Sequence, residues 1–145
     1  MDAIDQSVLS CLLADGRATY AEIGDVVGLS APAVKRRVDR LRETGAIRGF
    51  TALVDPAALG WSTEAYVEVY CKGTVAPEAL RASLERVPEV VGACTVSGSA
   101  DALLHMLASD VKQLERAIER VRDEPNVDHT RSVIVLSRLI DRPRA

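Results

Sequence analysis

Aromatic side chains are scarce in this chain: one Phe, one Trp and three Tyr make up 3% of its 145 residues. A core of stacked rings is excluded, so the interior has to be built from Val, Leu, Ile and Ala. Cysteine is little used as well. Cys11, Cys71 and Cys94 are odd in number, widely spread and without C-x-x-C spacing. That excludes a disulfide frame or a zinc site and reads as three small buried apolar residues. No apolar run reaches about 18 residues, and the first residues carry no signal-peptide pattern. A cytoplasmic protein with no membrane partner is expected. No nucleotide loop, Ser-His-Asp arrangement or acid pair stands out, so no enzyme activity, cofactor or metal is expected. His105 and His129 lie far apart, without the spacing of metal ligands, and are expected to be structural.

What is present begins with Tyr20 to Gly45, which reads as a helix-turn-helix. Ile23 and Val27 make one apolar face of a short helix. Thr19 with Glu22 three residues on is a capping box. Gly28 supplies the sharp turn, Leu29 plugs it, and Ser30 with Pro32 starts the next helix. Val34, Val38 and Leu41 recur on one buried stripe, and Gly45 is the expected cap. Before them, Ile4, Val8, Leu9 and Leu12 give a first helix, with Asp2 or Asp5 near its positive end. The stretch 47–54 has strand composition and either pairs as a wing or leads out of a first domain of residues 1–60.

Charge sharpens this reading. The whole chain carries a net −3, yet Ser30–Phe50 holds six cations against two acids, a local +4. Everything outside that window sums to −7. A basic patch on an acidic body can grip phosphate while the rest stays soluble. At 100° per residue Arg36 lies about 200° and Arg40 about 240° from the inward Val34. Ser30, Ala33 and Arg36 are candidates for base edges of double-stranded DNA. Lys35, Arg37 and Arg40 are candidates for its phosphates.

Residues 61–145 change character. Thr63–Cys71 alternates at period 2, 77–87 is a short amphipathic helix, and 90–96 and 102–108 are strands. Asp110 caps a helix carrying Val111, Leu114, Ile118 and Val121, and 127–140 is a long final strand. Strand-helix-strand-strand-helix-strand is the ferredoxin-like order, a four-stranded antiparallel sheet with both helices on one face. The fold class is therefore α+β: an N-terminal winged helix-turn-helix domain and a C-terminal ferredoxin-like βαββαβ domain. No element is left to cover the second sheet face, and the last strand is apolar on both sides. Two such sheets are expected to pack across a two-fold axis as a homodimer.

The motifs IDQSVLSCLLADGRATYAEIGDVVGLS, VKRRVDRLRETGAIRGFTALVDP, VSGSADALL and PNVDHTRSVIVL come in this order over nearly the whole length. Together they resemble the Lrp/AsnC family of transcription regulators. The resemblance implies a regulator built from dimers that assemble to tetramers or octamers. It also implies an amino-acid effector held near the glycine-acid turn, at contacts between dimers. Carried over by position, the ligand-binding residues are Gly98, Asp101, Thr130, Ser132, Val133 and Ile134. Where the family commonly has an acidic and then an aromatic residue in that turn, this chain has Ser99 and Ala100. Two rivals stand beside the reading. One is an architectural DNA binder with no effector, in which Gly98 and Asp101 merely form a turn. The other is a metabolite-binding or enzymatic ferredoxin-like protein that does not bind DNA.

Overall fold

The computed structural model of the chain describes residues 1–140. Residues 141–145, the end of the expected second domain, lie outside them. The chain divides into two compact units, Met1–Leu53 and a second that starts at Val54. The division falls upstream of the expected border after Gly60.

The first unit is three helices, α1 (Ala3–Ala14), α2 (Tyr20–Val27) and α3 (Ala31–Glu43). Val8, Ile23, Val34, Val38 and Leu41 form its buried core, with Ile4, Leu12, Leu29 and Ile47 packed around them. The capping box forms as the sequence indicates: Glu22 N–H donates to the Thr19 hydroxyl, and the Glu22 carboxylate accepts from the Thr19 N–H. Gly28 takes the left-handed conformation at φ 72 that turns α2 into α3. Ser30 occupies the N-cap of α3, but its hydroxyl makes no capping bond. Pro32 in the first helical turn removes one donor that would otherwise need a partner. Helix α3 ends one residue earlier than expected, with Thr44 as its cap and Gly45 following.

Gly24 matters as much as Gly28, for a different reason. The Leu29 N–H donates to the Gly24 carbonyl at 3.0 Å, bringing the turn back onto α2. A Cβ on Gly24 would stand 2.3 Å from the Leu29 carbonyl oxygen. Only hydrogen fits there. The expected strand at 47–54 does not form: among the described residues no element lies between Glu43 and Pro56. The first unit is all helix and offers that segment no strand to pair with. Phe50 and Leu53 are consequently exposed.

The second unit is one antiparallel sheet in the order β2-β3-β1-β4, from β1 (Thr63–Cys71), β2 (Val90–Thr95), β3 (Ala102–Ala108) and β4 (Val127–Ile134). Helices α4 (Pro77–Leu84) and α5 (Val111–Arg122) both contribute to a single core. From the sheet come Ala65, Val67, Val69, Ala102, Leu104 and Met106; from the helices come Leu80, Leu84, Leu114, Ala117, Ile118 and Val121. This is the ferredoxin-like arrangement. β1 alternates buried and half-buried residues along its length, as a strand with one covered face must.

β4 is shorter than expected. Its register puts Ile134 opposite Ala65, and the Val135 N–H makes one more bond to the Glu64 carbonyl. β1 begins at Thr63, so there is no partner strand beyond. Leu136 and Leu139, read from sequence as strand residues, are instead more than nine-tenths exposed. The uncovered sheet face carries Tyr66 stacked on His105, Tyr70 stacked on His129, and Arg131 over Tyr70.

Two substitutions separate the reasons for the two turn glycines. Gly24→Ala is expected to destabilise the helical unit by about 1–3 kcal/mol through backbone overlap. Gly28→Ala has open space around it and should cost about 1–2 kcal/mol through its left-handed backbone alone. Amide hydrogen exchange over residues 3–43 measures both. Wild-type protection in Gly24→Ala contradicts the close approach described.

Candidate DNA-binding and effector sites

The buried stripe of α3 (Val34, Val38, Leu41) fixes which residues the helix turns outward. Pro32, Lys35, Arg36, Arg40 and Arg42 are exposed, and Ala33 and Arg37 are half-buried. Lys35 Nζ bonds the Asp39 carboxylate at 2.6 Å. Both side chains of that pair are well exposed, so water and salt compete for it and it holds Lys35 only loosely. Arg36 and Arg42 make no hydrogen bond or ion pair among the described residues. The same holds for Arg48, just past the helix. Ser30, Ala33, Lys35 and Arg36 thus stand on the accessible side of the first two turns, as the sequence suggests.

Arg37 and Arg40 have partners that the sequence did not reveal. Asp5 on α1 is buried, and its carboxylate accepts from Arg37 Nη1 at 2.7 Å and from Arg40 Nη2 at 3.0 and 2.8 Å. It also accepts from the Asp2 N–H at 3.0 Å. Asp2 is the N-cap of α1: its carboxylate takes the Asp5 N–H at 2.8 Å and Arg37 Nη1 at 2.8 Å. The Asp2 N–H bond, then the Arg37 guanidinium, hold the Asp5 carboxyl below the usual carboxylate range. Asp2 is lowered mainly by Arg37, and Arg37 is raised in return by both acids. Two of the three residues expected to hold phosphate are therefore engaged with α1. Counting Asp2 and Asp5 with residues 30–50 sets six cations against four acids, so the +4 read along the chain becomes +2 where the chain folds.

At the expected effector site, Gly98 is exposed with open space where a Cβ would stand, and Ala100 is buried. The β1–β4 register slips at the end of β1, where Asp128 is the extra residue on β4, and just past that slip lies the Cys71 N–H. The Asp101 carboxylate accepts it at 2.7 Å, while the Asp101 N–H donates to the Val69 carbonyl at 2.9 Å. Asp101 therefore ties the turn to the end of β1 through Oδ2. The Cys71 side chain also meets this carboxylate. Burial, then the neighbouring Asp101, raises the Cys71 thiol, so it stays protonated and inert.

Thr130 sits opposite Val69, whose other neighbour is Ala102, so Asp101 and Thr130 share one end of the sheet on either side of β1. The Thr130 hydroxyl already accepts from Arg122 Nε at 2.8 Å. Ser132, Val133 and Ile134 follow at successive register positions, opposite Val67, Tyr66 and Ala65. Alternation puts Thr130, Ser132 and Ile134 on the helix face and Val133 on the other. The six residues therefore do not all share one face of the sheet. A groove of about 390 Å³ between α4 and the outer edge of β2 is lined by none of them. Among the described residues no group of three His, Cys, Asp or Glu side chains is placed to hold a metal, and no helix is long and apolar enough to cross a membrane.

Residues 1–42 match the family described as the AsnC-type helix-turn-helix domain, and residues 64–145 match the Lrp/AsnC ligand binding domain. The chain is 55% identical over 142 residues to the HTH-type transcriptional regulator Rv2324 of Mycobacterium tuberculosis, covering 98% of this chain and 96% of that protein. It is 36% identical to the leucine-responsive regulatory protein of Rhizobium meliloti, covering 97% and 92%. The solved feast or famine regulatory protein from M. tuberculosis, complexed with L-methionine, superposes with a TM-score of 0.91 at 33% identity over 99% of this chain and 97% of that one.

The ion cluster on α1 has a definite pH signature. A carboxyl depressed in the folded state contributes stability that is present above its unfolded value, about 3.9, and lost as pH falls through the folded value. Hydrogen-exchange protection of α1–α3 should therefore decline as pH drops below about 4. In Asp5→Asn the protection should be lower at neutral pH and its acid decline shallower. Equal acid declines in the two proteins would exclude Asp5 as a source.

Proposed function

The chain belongs to the Lrp/AsnC family of transcription regulators, and on that premise we propose how its two units divide the work. The helical unit docks α3 in the major groove of double-stranded DNA. Ser30, Ala33 and Arg36 face base edges; Lys35 and Arg42 face phosphates. The observation that carries this is the accessible outer side of α3, where Arg36 and Arg42 have no partner of their own among the described residues. Contacts to bases give sequence discrimination, and contacts to phosphate give affinity that falls with salt.

The sheet unit assembles the regulator and senses the cell. Two chains pair through the sheet face that α4 and α5 leave uncovered, and dimers associate further to tetramers or octamers. A small metabolite, an amino acid in our reading, binds where Gly98, Asp101, Thr130, Ser132, Val133 and Ile134 of neighbouring dimers meet. The open arrangement of those residues in one chain suits a site that another chain completes. Asp101 Oδ1 receives an ammonium while Oδ2 keeps its bond to β1, and backbone N–H groups of the turn receive a carboxylate. The effector acts by binding one assembly better than another, which shifts their populations and with them the geometry offered to DNA. The L-methionine held by a solved relative supports this ligand class. The protein works by binding, not catalysis, and acts in the cytoplasm. One observation favours a second reading, an architectural DNA binder without effector: Asp101 and Thr130 already have hydrogen-bond partners within the chain.

Thermal unfolding against each of the twenty amino acids, run beside light scattering, distinguishes the two readings. A ligand at 100 times its dissociation constant adds about 2.7 kcal/mol to the folded state. A selective rise in melting temperature with a change in assembly is expected. It should be lost in Asp101→Asn, which keeps an oxygen for the Cys71 N–H but removes the charge. No shift with any amino acid, from a folded protein that retains DNA binding, supports the architectural reading.

A further inference from the structure

We propose that Asp5 is a positioning residue for DNA binding. Its buried carboxylate sets the rotation of α3 and withholds Arg37 and Arg40 from the DNA backbone, leaving Lys35 and Arg42 as the phosphate contacts of that helix. The inference rests on the DNA-binding reading above and deepens it.

The geometry has three parts. First, Arg37 and Arg40 are three residues apart and so lie on one flank of α3, both turned to α1. Taking Val34 as inward, they stand about 60° and 120° to one side, while Lys35 and Arg42 stand about 100° and 80° to the other. Arg36 faces away from the core between the two flanks. Second, the acid that collects Arg37 and Arg40 is out of water. The Asp5 side chain is 1% exposed and meets three donor groups, Arg37, Arg40 and the Asp2 N–H. Arg37 is itself only 24% exposed and is shared with Asp2. Third, the Lys35–Asp39 pair on the opposite flank is open to water on both sides. Phosphate displaces Asp39 from Lys35 far more readily than it displaces a buried carboxylate from Arg37, because the buried acid would be left without a cation.

Charge balance gives the arrangement a purpose. Every cation that reaches a phosphate releases counterions and adds affinity for any sequence. Two arginines tied to a buried acid, Arg37 half-buried and Arg40 accessible at its edge, add none while that acid holds them. They act instead through α3, whose rotation decides whether Ser30, Ala33 and Arg36 meet base edges. An acid on α1 thereby converts cations of the recognition helix from non-specific grip into alignment.

The salt dependence of binding reads this directly, since each phosphate contact contributes about 0.9 to the slope of log affinity against log salt. The probes are a duplex selected from a random pool by the wild-type protein and a scrambled duplex of equal length. Lys35→Gln and Arg42→Gln should each lower the slope by about 0.9 on both probes. Arg37→Gln and Arg40→Gln should leave the slope unchanged yet cut the ratio of selected to scrambled affinity by about tenfold, the size of a single lost base contact. Asp5→Asn should raise affinity for the scrambled duplex and steepen its slope. If that variant does not fold by circular dichroism, the two arginine variants, which each leave Asp5 one guanidinium, decide alone. A slope lowered in Arg37→Gln or Arg40→Gln as much as in Lys35→Gln overturns the proposal. So does an unchanged ratio with an unchanged slope. If the wild type binds neither probe in a salt-dependent way, the DNA-binding reading itself fails, a result distinct from either.

Discussion

A carboxylate taken out of water has to be answered by cations or by protonation, and in the helical unit Asp5 is answered by α3. Its bonds to Arg37 and Arg40 join the first helix to the third across more than thirty residues of chain. Val8, Ile23, Val34, Val38 and Leu41 supply the apolar contact between the helices, but aliphatic packing is non-directional and tolerates rotation. The ion cluster is directional. It lets one rotation of α3 satisfy both guanidinium groups at once, and the outward set Pro32, Arg36, Lys35 and Arg42 follows from that rotation. Gly24 and Gly28 impose the matching constraint at the other end of the helix. One lets the turn touch α2, and the other lets the chain reverse.

The sheet unit depends on a different constraint: a four-stranded sheet has two faces and the chain provides helices for one. Leu80, Leu84, Leu114, Ile118 and Val121 close the first face over Val67, Val69, Leu104 and Met106. The second face is not simply apolar. Tyr66 and Tyr70 stack on His105 and His129, Glu64 accepts from His105 and Arg138, and Arg131 lies over Tyr70. Burial alone would raise the Glu64 carboxyl, but the bonds from Arg138 and His105 outweigh it and hold the group ionised. Glu64 on this face is paired within the chain, while Glu68 accepts from the Tyr70 hydroxyl and Arg131 meets the Tyr70 ring.

Most of this architecture could be read from the sequence, because it is local. β1 has the limits that period-2 alternation indicates, β3 has those expected of 102–108, and the capping pair Thr19 and Glu22 is visible as a spacing. The segments misread as strand, 47–54 and 135–140, have strand composition without a partner. Pairing is a property of two segments, and no single one of them shows it. Gly24 was missed because a glycine inside a helix reads as a weakness, whereas its value here lies in a contact five residues on. Asp5 was legible only as a residue suited to a helix N-terminus. Its role toward Arg37 and Arg40 depends on how α1 crosses α3, and charge counted along the chain overstates the basic patch for the same reason. The expected effector residues were placed by resemblance, and their register along β4 shows why spacing alone could not group them. Val133 faces away from Thr130, Ser132 and Ile134.

In the proposed reading, Asp101 connects effector binding to assembly. The Asp101 carboxylate takes the Cys71 N–H with one oxygen, and the Asp101 N–H bonds the Val69 carbonyl, so the turn and the end of β1 are mechanically one piece. β1 is the central strand that pairs with both β3 and β4, and its alternate residues form the middle of the uncovered face. A ligand that pulls on Asp101 therefore acts on the strand whose Tyr66 and Tyr70 lie in the surface through which chains would pair. No long pathway is needed for a small molecule to influence assembly. The carboxylate that would hold the effector's ammonium is the same group that holds the end of the sheet. Coupling then follows if the two assemblies differ in how well they tolerate a small displacement of β1, because a differential affinity for assemblies is all that regulation requires.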